Sequence, residues 1–278
     1  MYVGIFLVKL MSKVRLLRSI QSMPYLLLMF VCTFANANVS EQPSTRQSSV
    51  IDVARIYHAS MAYIFSQQSL INSNRQSKPS LFGTPFIDQV KKSYQVMFGE
   101  AFPDDNDEYV DNLLTLMKLV MEDNRTLILD PDIGFKGFIP AIFAFQLSEK
   151  FKARGYGLNI KFTNVVGRIR NKLSSPDEWE QKALAAIANG NVSEVINNNI
   201  EYNGGVATRY MRKVDMVPMC LNCHGIPEDN PANKNKEKNN WIFEDKTGFS
   251  MEGWKMGELG GGISVVLYER KRSIYEEK

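Results

Sequence analysis

The pentapeptide from Cys220 to His224 (CLNCH) restricts the fold of this chain more than any other feature. It holds two of the three cysteines and one of the two histidines among the 278 residues. Two thiols separated by two residues can add to the vinyl groups along one porphyrin edge, and the histidine that follows is placed to bind the iron. The pattern therefore predicts one covalently bound haem c, attached through Cys220 and Cys223, with His224 as the proximal iron ligand.

The N-terminus, residues 1–37, has the pattern of a secretory signal peptide. A basic segment precedes an apolar run from Met23 to Phe34, and the small residues of Ala35-Asn36-Ala37 suit cleavage. The run of about 12 residues is shorter than the roughly 20 that a membrane-spanning helix needs. We expect export to the periplasm of a Gram-negative bacterium, where haem c is attached, and membrane association only if the leader is retained.

A disulfide, a redox-active thiol pair and a zinc site are the alternative uses of the two cysteines. Zinc needs about four ligands, and beyond the leader the only thiols and imidazoles are Cys220, Cys223, His224 and the distant His58. Chelation of one ion by the neighbours Cys223 and His224 is awkward. A thioredoxin-like couple is expected before a helix in a βαβ pattern, which the sequence after Gly225 lacks. All three alternatives stay open, but covalent haem fits the residues best.

The charges of the chain beyond the leader nearly balance. Residues 1–37 carry four basic side chains and no acid, so 29 of the 33 Lys and Arg residues remain against 30 Asp and Glu. A protein that binds nucleic acid usually carries a clear basic excess. We therefore expect no nucleic-acid partner.

Hydrophobic periodicity predicts mostly helices before residue 155 and mostly strands after it. Residues 38–49 are polar and aperiodic, which indicates a flexible linker. Residues 50–129 form the predicted N-terminal helical segment, whose first helix, to about Leu70, carries His58. The other expected elements are helices at 110–121, 140–154 and 176–189, a strand at 158–163, a hairpin around 203–205 and a last strand at 263–268. A capping box of Ser175 and Glu178 is expected to open the helix at 176–189.

Four separated segments resemble PAS-like c-haem sensor domains, a family long labelled a domain of unknown function. They are 134–141 (GFKGFIPA), 170–180, 209–225 and 257–265 (GELGGGISV). Members occur as lone exported proteins and as input modules of histidine kinases. The resemblance implies an α+β fold, with a PAS-like antiparallel sheet flanked by helices in residues 130–278 and one haem held against it. We expect the N-terminal helical segment to pack on this domain.

Arg170 and Asn171 match the start of a family motif and are candidate cofactor-binding residues. Many members have Arg-Asn-Pro-x-Asn, whereas this chain continues with Lys172-Leu173-Ser174 and lacks the proline and the second asparagine. The guanidinium of Arg170 is suited to pair with a haem propionate, and a surface salt bridge is the alternative. Trp254 is expected to pack in the core or against the haem.

The distal iron ligand is left open by the sequence. His58 is the remaining imidazole and becomes the distal ligand if the N-terminal helix folds over the haem. A histidine on the flank of a surface helix, a methionine ligand and an open or water-bound iron are the alternatives. The candidate methionines are Met61, Met211, Met216 and Met219. A cysteine ligand, which some relatives use, is excluded because the chain beyond the leader has no third cysteine.

Two functions from different classes fit these features. The first is a haem-based sensor of redox state or a diatomic gas, which signals to a partner protein. The second is a periplasmic electron-transfer cytochrome with a redox partner. A carrier needs two permanent iron ligands, whereas a gas sensor needs one labile position. The size of the N-terminal segment favours the sensor, and an enzyme is not expected because His58 is the only histidine available for distal acid–base chemistry.

Overall fold

The computed structural model describes residues 45–103, 107–190 and 192–268. The expected signal peptide, residues 1–37, and the first part of the expected linker lie outside these ranges. Within them, no helix is both long and apolar enough to cross a membrane. Helix α1 begins at Thr45 and already buries Ser49. The linker prediction is therefore wrong for residues 45–49, which are helical.

The described chain before residue 130 is helical, as the sequence predicts. Its helices are α1 Thr45–Ser66, α2 Gln68–Ile71, α3 Gly83–Phe98, α4 Glu108–Asp123 and α5 Arg125–Leu129. Helix α4 begins where the carboxylate of Asp107 accepts hydrogen bonds from the backbone N–H groups of Tyr109 and Val110. Such a cap satisfies donors that the first turn leaves free. Helix α3 ends at Gly99, which has a φ of 68°.

The chain enters the sheet through helix α6, Pro140–Arg154, and strand β1, Leu158–Thr163. Helix α7 follows at Glu178–Asn189 and is capped by Asp177 rather than by Ser175. The carboxylate of Asp177 accepts from the N–H of Glu180 at 2.9 Å, and the carboxylate of Glu180 accepts from the N–H of Asp177 at 2.8 Å. The capping box predicted two residues earlier is therefore wrong.

The described strands form one antiparallel sheet in the order β1-β4-β3-β2. After β1 come β2 Glu194–Tyr202, β3 Gly205–Asp215 and β4 Leu259–Tyr268. The hairpin between β2 and β3 turns at Asn203 and Gly204, whose φ values of 50° and 75° suit a two-residue turn. Since β4 pairs with both β1 and β3, the chain between β3 and β4 leaves the sheet and returns to its middle. The α+β expectation is confirmed.

One hydrophobic core joins the N-terminal helices to the sheet. Buried side chains of α1, α3, α4 and α6 pack with Tyr210 of β3 and with Ile263 and Val265 of β4. A smaller cluster joins Leu184 of α7 to Met211 of β3. Because neighbouring residues of a strand point to opposite faces, α7 covers the face opposite the larger core. Helices therefore flank the sheet on both sides.

Candidate functional site

The segment between β3 and β4, residues 216–258, carries the CLNCH sequence and is here called the motif lobe. A 3-10 turn, Pro218–Cys220, runs into the single-turn helix α8, Leu221–His224. Residues three apart on a helical turn share one side, so Cys220 and Cys223 are presented together. Both thiols are free.

Burial keeps the two thiols protonated. It raises the pKa of the Cys220 thiol above its ordinary value. For Cys223, burial and then the charge of Asp245 raise the pKa to about 11. A redox-active pair depends on a low thiol pKa, so this environment disfavours that alternative. Among the described residues, no group of three or more His, Cys, Asp or Glu side chains is arranged to hold a metal ion, and the zinc alternative therefore lacks a ligand set.

His224 is held by a carboxylate and by an aromatic ring. Its Nδ1 lies 3.0 Å from Oε2 of Glu252, and its ring stacks on Trp254 with centroids 4.8 Å apart and planes 16° apart. Burial and the charge of Arg170 lower the pKa of His224, against the effect of Glu252. A carboxylate only accepts hydrogen bonds, so Nδ1 carries the proton. The lone pair of Nε2 is then the one available to an iron atom.

Arg170 connects the motif to two carboxylates of the motif lobe. It donates from Nη1 to Asp245 and from Nε to Glu252, both at 2.6 Å, and from Nη2 to the carbonyl of Cys223 at 3.1 Å. Arg170 thus lies beside the motif. The contacts that it makes are salt bridges, as the alternative interpretation of this residue expects. Contact of Arg170 with a haem propionate stays a prediction.

Asn171 lies at the surface beside this network. Its side-chain oxygen accepts from the backbone N–H of Leu173 at 3.0 Å and caps a short 3-10 turn. A cofactor contact of Asn171 stays a prediction. Sequence reasoning missed Asp245 and Glu252, because an isolated acid in a loop has no periodicity or motif around it.

The motif lobe exposes many apolar side chains. Seven of the sixteen exposed large hydrophobic residues in the described chain lie in it: Val217, Met219, Ile226, Ile242, Phe243, Phe249 and Met256. The described members of both hydrophobic clusters lie outside it. Polar contacts hold the lobe instead, such as those from the Asn233 amide to the carbonyls of Pro227 and Ile242, both at 2.8 Å. A large apolar group bound here would supply the core that the lobe lacks.

His58 of α1 contacts Phe98 of α3 and lies within the electrostatic influence of the end of β3. Its ring packs edge-on against the ring of Phe98, with the centroids 6.4 Å apart. Its Nδ1 is buried without a hydrogen-bond partner. Burial and then the charge of Arg212 lower its pKa to about 4, against the effect of Asp215. Arg212 and Asp215 belong to the end of β3 that leads into the motif lobe. The two histidines contact different aromatic rings, His58 that of Phe98 and His224 that of Trp254. Iron ligation by His58 stays a prediction.

The four candidate methionines differ in their surroundings. Met61 and Met211 are buried in the two hydrophobic clusters. Met216, 4% exposed, packs its sulfur over Gly260, 2.8 Å from where a Cβ of that residue would lie. Met219, 46% exposed, directly precedes the motif. Met216 and Met219 are thus the candidates within the motif lobe.

Comparison with known proteins identifies the family of the chain. The family model described as Tll0287-like matches residues 9–267. A crystal structure of the cyanobacterial haem protein Tll0287 aligns with 17% identity over 60% of this chain and 99% of its own, with a TM-score of 0.38. A comparison with curated proteins finds no match. Because the family model spans most of the sequence, this chain belongs to the Tll0287-like family.

Proposed function

We propose that the chain binds one haem c covalently through Cys220 and Cys223, with His224 as the proximal ligand. The observation that carries the proposal is the presentation of two free thiols on one turn beside an imidazole whose Nδ1 is bonded to Glu252. Membership of the Tll0287-like family supports it, since Tll0287 is described as a haem protein. When bound, the haem would supply one-electron redox chemistry and, where its distal position is open, a site for a diatomic gas. The leader pattern supports export to the periplasm of a Gram-negative bacterium.

The residues around the motif have distinct roles in this proposal. His224 binds iron through Nε2, while Glu252 holds the Nδ1 proton and Trp254 keeps the imidazole plane fixed. Arg170 joins Glu252 to the carbonyl of Cys223. Arg170 therefore links the thiol-bearing turn to the carboxylate that orients the ligand.

We infer that the protein is a PAS-like sensor of redox state or of a diatomic gas that signals to a partner protein. The support is a continuous connection from the motif to the helices. Strand β3 leads directly into the motif lobe, and its Tyr210 is buried in the core that contains α1. The same helix carries His58. This connection would let a displacement of the motif lobe reach the N-terminal helices, which a partner can contact.

Electron transfer is the second candidate function. The side chain of His224 is 30% exposed and both cysteines are partly exposed, so a haem attached here would have one edge near the surface. Such an edge suits exchange with a redox partner. We propose no enzymatic activity for this site.

Optical spectra of the purified exported protein test the gas-sensing part of the proposal. The oxidised and reduced protein would be examined with and without carbon monoxide or nitric oxide. A gas sensor is expected to bind at least one of them in the ferrous state. A six-coordinate low-spin ferrous haem that ignores both gases would contradict gas sensing.

Hydrogen exchange in the two redox states separates a redox sensor from a carrier. In a redox sensor, amides of α1 and β3 are expected to change protection between the oxidised and reduced protein. Equal protection in both states, together with no gas binding, would favour the electron carrier.

The role of His58 is tested with His58→Ala, using Met61→Leu on the same helix as the control. If His58 binds iron, His58→Ala is expected to convert low-spin to high-spin iron, and Met61→Leu is not. Unchanged spectra in His58→Ala would exclude His58 as the distal ligand.

A further inference from the structure

Glu252 accepts hydrogen bonds from the imidazole of His224 and from the guanidinium of Arg170. Its Oε2 accepts from Nδ1 of His224 at 3.0 Å and from Nη2 of Arg170 at 2.8 Å. Its Oε1 accepts from Nε of Arg170 at 2.6 Å. This side-by-side contact with the guanidinium fixes the plane of the carboxylate. The direction of the hydrogen bond to His224 is therefore fixed as well.

Backbone contacts hold the chain around Glu252 against α8. The N–H of Gly253 donates to the carbonyl of Gly225 at 2.9 Å, and the N–H of Trp254 donates to the carbonyl of His224 at 2.8 Å. Gly253 has a φ of 76°, a conformation that glycine adopts without strain. The segment that carries Glu252 is therefore hydrogen-bonded directly to His224 and Gly225.

The negative charge of Glu252 is not cancelled within the cluster. Arg170 divides its single positive charge between Glu252 and Asp245, whose side chain is fully buried. The three charged groups together carry one net negative charge. Asp245 is also held by the N–H and hydroxyl of Thr247, at 2.7 and 2.6 Å. The imidazole therefore faces an acceptor that keeps anionic character.

We propose that Glu252 is a positioning residue that makes His224 a strongly donating ligand and so lowers the reduction potential of the haem. The inference rests on the proposed function, since it requires His224 to bind iron. A carboxylate that accepts from Nδ1–H increases the electron density and basicity of the ligating nitrogen. The ferric state, with its higher charge, gains more from such a ligand than the ferrous state does. The site is thereby matched to redox partners of low potential.

Potentiometric titration of the haem-loaded full chain tests this proposal. Glu252→Gln keeps the shape and an oxygen acceptor but removes the charge. It is expected to change the ferric-to-ferrous equilibrium at least tenfold in favour of ferrous, a rise of about 59 mV for a one-electron couple. Glu258→Gln is the matched control, because Glu258 is a neighbouring carboxylate that pairs with Arg168 at 3.4 Å. Its midpoint potential is expected to stay near that of the wild type.

Each outcome of the titration decides the proposal. An unchanged potential in Glu252→Gln, or equal shifts in Glu252→Gln and Glu258→Gln, would overturn it. If Glu252→Gln holds no haem, Glu252→Asp carries the test: its shorter side chain weakens the contact with Nδ1, and a smaller rise is expected. An unchanged potential there would overturn the proposal too. A wild-type protein without covalent haem would instead refute the proposed function, which the haem spectrum reveals before any titration.

Discussion

At the scale of single residues, Asp52 on α1 has the clearest consequence for stability. Burial raises its pKa to about 6, with Arg55 opposing the rise and Asp107 and Glu100 adding to it. The folded protein therefore holds the proton of Asp52 more tightly than the unfolded chain, in which the value is near 3.8. The protonated carboxyl contributes stability that is fully present below the unfolded pKa and is lost as the pH rises through the folded one.

Asp52→Asn is expected to remove this pH dependence. The variant should match the wild type below about pH 4 and exceed its free energy of unfolding at about pH 7. After a discount for the partial exposure of Asp52, the gain at neutral pH should be about 1 kcal/mol. Urea denaturation at a series of pH values measures it. Asp88→Asn, at an exposed position of α3, is the control, and a gain in Asp52→Asn that is the same at every pH would contradict the account.

The site residues divide into those with a local signal and those without one. Cys220, Cys223 and His224 could be proposed from the sequence because the chemistry expected of them depends on spacing within five residues. Arg170 could be proposed from a family motif, yet its partners could not, since Asp245 and Glu252 lie in the motif lobe, 75 and 82 residues further along the chain. Only folding of the lobe brings these carboxylates to the guanidinium.

At the scale of elements, strand β4 explains the run Gly260-Gly261-Gly262. The sequence predicts that these glycines precede the last strand, but β4 begins at Leu259 and includes them. Gly261 has a φ of 146°, and a Cβ on it would lie 2.6 Å from the carbonyl oxygen of Thr163 on β1. The strand can therefore run close to β1 only where no side chain intervenes.

Gly261→Ala is expected to destabilise the protein by at least about 2 kcal/mol, because both the backbone conformation and the approach to β1 are lost. Chemical denaturation followed by circular dichroism measures the change. Gly134→Ala is the control, since a Cβ there meets no atom within 4 Å and the φ is not positive. Similar stabilities of the two variants would contradict the packing described for β4.

Most elements could be predicted because their signals are local. The apolar stripe of α4, the turn at Asn203 and Gly204 and the alternation of β1 need no distant partner. The start of α7 could not be predicted, because the sequence contains two overlapping capping boxes, Ser175 with Glu178 and Asp177 with Glu180. Arg209 of β3 selects the second one by pairing with Asp177 at 2.6 Å and lying 3.6 Å from Glu180.

At the scale of the whole molecule, the described chain combines a well-packed part with a lobe that lacks a core. The helices and the sheet share buried apolar clusters, and the motif lobe contributes no described residue to them. Bound haem would then be the apolar centre of the lobe. Its removal should affect the lobe far more than the rest of the protein.

The double variant Cys220→Ser/Cys223→Ser, prepared without haem, tests this division. Amides of residues 216–258 are expected to exchange much faster than in the haem-loaded wild type, while amides of β1 keep their protection. Hydrogen exchange with mass spectrometry measures both. Equal protection of the lobe in the two proteins would show that its polar contacts suffice without haem.

Covalent haem attachment is the central claim, and the intact mass of the exported protein tests it most directly. After denaturation in acid, the wild-type polypeptide is expected to retain the mass of one haem and to give the pyridine haemochrome spectrum of a thioether-linked porphyrin. Cys220→Ser/Cys223→Ser should lose both signals. A wild-type protein with the mass of the bare polypeptide and a disulfide between Cys220 and Cys223 would contradict the account.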